Sequence, residues 1–158
     1  MGFALSDMTL TSSAFDNGGS IPTRHTGEGA DVSPALSWSG APDGTASFAL
    51  ICHDPDAPLI SPGNYGFVHW VLYGIPGSVS SLSEGTGDYT QGANNFGNNG
   101  YGGPMPPEGH GRHHYFFWLL ALDSEPELEP GLAMWDLLEK IEPNVIAMNR
   151  LVGTYQRS

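Results

Sequence analysis

A mainly β fold with short helices towards the C-terminal end is what this sequence predicts. The 22 glycines and 13 prolines are scattered through 158 residues without an internal repeat or low-complexity block, so they read as turns between short elements rather than as linkers. Between them lie short runs of β-branched, aromatic and aliphatic residues bounded by Gly, Pro, Asn or Asp. Sustained helical spacing of apolar residues is found only near the C-terminal end.

Five strands are expected, in the order Met8 to Thr11, Ala35 to Trp38, Ala46 to His53, Phe67 to Ile75 and His113 to Leu122. Alternation in the third sends Phe48, Leu50 and Cys52 to one face and Ala49, Ile51 and His53 to the other, so Cys52 is expected to be packed and unreactive. Two short helices should follow. The first carries Met134, Leu137, Leu138 and Ile141 on one stripe; the second opens at Pro143, carries Val145, Met148 and Val152, and stops at Gly153. Little periodicity is visible from Gly74 to Arg112, and Gly92 to Gly109 is dense in Gly, Asn and Pro. A connection of that length is either functional or hides elements of its own.

The length suits one domain over residues 1–158. The longest apolar run, Tyr115 to Leu122, is far below the roughly 18 residues of a membrane span. The first residues show neither a basic nor a long apolar stretch, and the single Cys52 suits a reducing compartment, so a cytoplasmic location is expected. Seventeen acidic against five basic side chains give a formal charge of −12, which repels phosphate backbones and argues against a nucleic-acid partner. The oligomeric state stays open, a homodimer included, and no protein partner is indicated.

Five of the six histidines, His53, His69, His110, His113 and His114, lie in or beside the two segments that also carry Asp54, Asp56 and Tyr115. The segment from His53 to Pro58 sits where a buried strand runs out into a loop, and three prolines between residues 55 and 62 stiffen that loop. His113 and Tyr115 alternate to one face of a later strand. Asp-Pro-Asp is also an ordinary turn, and a strand histidine is more often a satisfied core residue than a ligand. No metal-ligand spacing, Gly-x-Ser-x-Gly elbow or Gly-Lys-Ser/Thr phosphate loop is present, so neither a metal nor a cofactor is expected.

Six ordered motifs nevertheless resemble those of the phosphatidylethanolamine-binding proteins, above all the compact bacterial and archaeal branch. They begin at Val32-Ser33-Pro34-Ala35-Leu36-Ser37-Trp38 and Pro42-Asp43-Gly44-Thr45, and include the most specific one, Asp54-Pro55-Asp56-Ala57-Pro58. Val68-His69-Trp70-Val71, Asn95-Phe96-Gly97 with Gly100-Tyr101-Gly102-Gly103-Pro104, and Pro106 to Phe117 follow in order, closed by Ala121-Leu122-Asp123. The match runs nearly end to end. It implies a β-sandwich with peripheral helices, a cis Ala57-Pro58 bond, and a pocket for phosphate-like anions or phospholipid headgroups.

By match of motif the ligand-binding residues are Asp54, Asp56, His69, His113 and Tyr115, with Gly103 and Pro104 in the pocket wall. His114 stands where the family has arginine, and Pro143-Asn144 where it has Gly-His. The carboxylates are expected to hold imidazolium rings that, with the Tyr115 hydroxyl, donate to a phosphate oxygen. One aspartate could also receive an ethanolamine ammonium. A non-enzymatic binding or regulatory role is therefore expected. The alternatives are a hydrolase or lyase using Asp54 or Asp56 with His69 and His113, or, by family analogy alone, an inhibitor of a protease or kinase.

Overall fold

The computed structural model describes residues 3–57 and 66–157. The expected Ala57-Pro58 cis bond lies outside the described residues. Within them the chain forms β1 (Thr9–Thr11), β2 (Leu36–Ser39), β3 (Ser47–Asp54), β4 (Phe67–Pro76), β5 (Ser81–Leu82), β6 (Thr90–Gln91), β7 (His113–Leu122), α1 (Met134–Ile141) and β8 (Val145–Tyr155). Two antiparallel sheets result, a small one ordered β1-β2-β5 and a large one ordered β6-β4-β3-β7-β8.

The five expected strands form close to their expected limits. β3 lies at the centre of the large sheet and is apolar on both faces because both are covered. Phe48, Leu50 and Cys52 face the small sheet and pack with Leu10, Leu36, Trp38 and Leu82. Ala49 and Ile51 face the opposite way, into a second core closed by Leu137 and Ile141 of α1. The molecule therefore has three layers, with the small sheet, the large sheet and one helix in that order.

Three differences from the sequence reading have physical causes. The expected second helix is β8: Ala147, Leu151, Gly153 and Tyr155 fall on a period of two, and the strand pairs with β7 from end to end with one irregularity at Ile146. The helical stripe of Val145, Met148 and Val152 runs through the same segment, and the open edge of β7 settles which period is used. Around Pro143 only a 3-10 turn forms, Glu142–Asn144. The long connection after β4 holds β5 and β6, strands of two residues each, too short to show a periodicity.

Where β4 pairs with β3, Cys52 lies opposite Trp70 and His53 opposite Val68, so His69 is an extra residue with no partner on β3. This is a β-bulge, which re-aims a side chain. Strict alternation would put His69 on the face of Val71 and Tyr73. The bulge turns it instead towards Tyr115 of β7, with ring centroids 5.1 Å apart.

Candidate functional site

In an antiparallel sheet, the C-terminal end of β3 meets the N-terminal ends of both neighbours, β4 and β7. That topology brings Asp54, His69, His113 and Tyr115 to one end of the large sheet. Together with Ala57, Phe67, Phe96, Met105, Pro106 and Pro107 they line a cavity of about 230 Å³. A larger cavity of about 410 Å³ lies on the far face, between Trp118 of β7 and Trp135 of α1, but its lining is mainly apolar. The convergent polar groups belong to the smaller one.

Asp54 and His113 form a buried pair. His113 Nδ1 lies 2.7 Å from Asp54 Oδ2, with both side chains about 3% exposed. The other carboxylate oxygen accepts the Asp56 backbone N–H at 2.8 Å. Burial raises the Asp54 carboxyl above its ordinary value, even though His113 and the Asp56 amide both favour its charged form. His113 Nε2 lies 2.8 Å from His110 Nδ1, so a hydrogen-bonded chain runs from the exposed His110 through His113 to Asp54.

His69 is held differently. Its Nδ1 donates to the Gly102 carbonyl at 2.7 Å, while the Gly102 N–H returns a bond to the His69 carbonyl. Phe67, Phe96 and Tyr115 surround the ring. Burial therefore lowers its pKa from 6.5 to about 4, the backbone contacts with Gly102 and Gly103 offsetting only part of the shift. Beside it the Tyr115 hydroxyl is fully buried and has no hydrogen-bond partner among the described residues. Burial, with the Asp54 charge as a lesser cause, pushes that phenol well above its ordinary pKa, so it remains a donor.

Gly103 and Pro104 back the cavity rather than line it. The Gly103 N–H donates to Asp31 Oδ1 at 2.7 Å, and Pro104 accepts from Gly27 N–H at 2.9 Å. A Cβ on Gly103 would lie 2.2 Å from the His25 carbonyl oxygen, so only glycine permits that approach. The Asp56 carboxylate points away from the cavity and accepts two bonds of 2.7 Å from His114, one from its backbone N–H and one from Nδ1. Burial acts to raise the Asp56 pKa, but these bonds outweigh it and leave the carboxyl below its ordinary value. His114 thus ties the loop after β3 to the start of β7.

The role expected of the histidines changes accordingly. His69 touches no carboxylate and is neutral, and both nitrogens of His113 are engaged within the protein. His110 was not among the expected ligand-binding residues. Its signal in the sequence is the Gly109-His110-Gly111 turn three residues before His113, in which both glycines adopt positive φ, 70° and 87°. Of the aromatic walls, Phe67 carried no signal beyond its hydrophobicity, whereas Phe96 stood in the Asn95-Phe96-Gly97 motif without being expected at the site.

Comparison with known proteins gives the following. A family model described as phosphatidylethanolamine-binding protein matches residues 11–156. A UPF0098 protein of Methanothermobacter thermautotrophicus is 43% identical over 157 residues, covering 95% of this chain and 99% of the relative. Among solved structures, a phosphatidylethanolamine-binding protein homolog from Chlamydia trachomatis superposes with a TM-score of 0.89 at 38% identity, covering 96% of this chain and 98% of the other. YbcL of E. coli, described as a member of the mammalian PEBP family, gives 0.87 at 33%, covering 97% and 100%.

Proposed function

Since the chain belongs to the phosphatidylethanolamine-binding protein family, we propose that it binds a small phosphate-type anion, free or as a phospholipid headgroup, in the cavity at the end of the large sheet, without turning it over. The observation that carries this reading is the buried, unpartnered Tyr115 hydroxyl beside that cavity. Leaving a buried donor unpaired costs about 1 to 3 kcal/mol, a penalty that an incoming oxygen removes. Asp54 and the aromatic walls hold the surroundings rigid. When His113 is protonated, its charge offsets that of Asp54 and lowers the repulsion an anion meets.

Asp56, Gly103 and Pro104 act in this reading as supports. Asp56 fixes the loop through His114, and the Gly102 to Pro104 segment holds the His69 ring. A cytoplasmic site of action is part of the same proposal, resting on the single buried thiol. Calorimetric titration with phosphate and phosphoethanolamine is the test. Saturable binding is expected, weakened about five- to tenfold by Tyr115→Phe; heat of dilution alone from both ligands would refute the reading.

A second reading, acid–base catalysis, is favoured by one observation, the Asp54-His113-His110 chain, in which a carboxylate orients an imidazole as in many general bases. Sustained turnover of a phosphate ester that is lost in His113→Ala would replace the non-catalytic reading with this one.

A further inference from the structure

The groups facing the proposed anion site are short of donors. A carbonyl can only accept, so the proton of the neutral His69 ring sits on Nδ1, which faces Gly102. Nε2 is then left as an acceptor, on a ring that lines the cavity. No carboxylate touches the ring to draw a second proton onto it. His113 uses both ring nitrogens, one on Asp54 and one on His110. Each Asp54 oxygen already accepts one N–H and keeps a further lone pair. No lysine or arginine is among the described residues lining the cavity. The Tyr115 hydroxyl is the side-chain donor there that lacks a partner.

A fully deprotonated oxyanion brings acceptors alone. It would satisfy Tyr115 and then set its remaining oxygens against the His69 lone pair and the Asp54 carboxylate, both of which repel it. An oxyanion that still carries a proton meets the same groups with the opposite result. One of its oxygens accepts from Tyr115 while its hydroxyl donates to His69. The two rings are nearly perpendicular, at 76°, with centroids 5.1 Å apart, and both line the cavity.

We propose that the cavity selects phosphate-type oxyanions that still carry a P–OH, whether inorganic phosphate or a phosphomonoester, by accepting a hydrogen bond from that P–OH at His69 Nε2, and discriminates against sulfate, sulfonates and phosphodiesters, which have no such proton. The inference rests on the anion-binding reading above and narrows it. Membrane phospholipid headgroups are diesters, so this selection favours the free monoester over the intact lipid. His69 is a specificity-determining residue, and the bulge in β4 is what aims it.

The test is a calorimetric panel at about pH 6, where a phosphomonoester still holds its second proton to a substantial extent. Methylphosphonate and methanesulfonate form the central pair, similar in shape and differing in the proton. Inorganic phosphate, sulfate, phosphoethanolamine and glycerophosphoethanolamine complete it. Phosphate and phosphonate should bind at least about tenfold more tightly than their sulfur counterparts, the loss expected when a buried acceptor goes unpaired. Phosphoethanolamine should exceed the diester by a similar factor, and its ratio to phosphate separates the ester from the free ion as the preferred source. His69→Asn keeps an amide N–H for the Gly102 carbonyl and lacks the second nitrogen, so it should abolish the difference between the phosphonate and the sulfonate. Equal binding of phosphonate and sulfonate by the unmodified protein overturns the inference and leaves the anion site standing. Binding of none of the probes removes both, and neither outcome depends on whether the variant folds.

Discussion

His69 shows how one residue can be set by packing and still serve a site. Its folded pKa, lowered from 6.5 to about 4, means that between those values the unfolded chain binds the proton and the folded one does not. Stability is therefore fully present above about pH 6.5 and falls as the pH drops towards 4, by about 3 kcal/mol at the lower end from this residue alone. Urea unfolding measured across that interval should show a shallower pH dependence in His69→Asn than in the unmodified protein. Equal slopes would mean that the ring is protonated without cost, and the tautomer assigned to it would fall with that result. Cys52 illustrates the simpler case: strand alternation buries it, and burial pushes its thiol well above the ordinary range. A thiol reagent should leave it unmodified in the folded protein and label it in denaturant.

At the scale of elements, the site depends on β3 being central and on α1 covering one face of it. Leu137 and Ile141 are fully buried against Ala49, Ile51, Val71 and Tyr73, whereas Trp135 on the same helix is 69% exposed. The helix contributes through that inner stripe. Truncation by Leu137→Ala should cost about 2 to 5 kcal/mol in chemical denaturation, from lost burial and the cavity left behind. A loss within about 0.5 kcal/mol, the range of surface substitutions, would mean that the helix is only loosely docked. Gly66, at the entry to β4, has φ +74°, and a Cβ there would lie 2.3 Å from the Asp54 carbonyl oxygen. Its lack of a side chain lets the chain enter β4 directly beside the site.

Across the whole molecule the formal charge is −12, and an anion approaches against that field. Long-range repulsion between charges weakens with ionic strength, over a Debye length of about 10 Å at 0.1 M salt. Phosphate binding should therefore be strengthened, or left unchanged, as a non-coordinating salt is raised from a few millimolar to about 0.1 M. Titrations across that series decide the point. A steady loss of affinity with salt would reveal a local positive potential at the cavity strong enough to outweigh the surface, and would shift the weight of recognition from Tyr115 and His69 to His113. Among the described residues no helix is long and apolar enough to cross a membrane.

Sequence alone determined the mainly β class, the five principal strands, the two faces of β3, the packing of Cys52 and the amphipathic helix, because each rests on a local period that burial enforces. The gathering of Asp, His and Tyr into two segments was also legible, as was the family resemblance through its ordered motifs. Tertiary structure alone decided three further matters. Residues 145–155 satisfy both a helical and a strand period, and the free edge of β7 selected the strand. Asp56, expected at the pocket by match of motif, turns out to His114, and His110, which had no expected role, closes on His113, since loop direction depends on contacts far along the chain. The orientation of His69 follows from a bulge, a mismatch of one residue between two strands, and a mismatch exists only once both strands are paired.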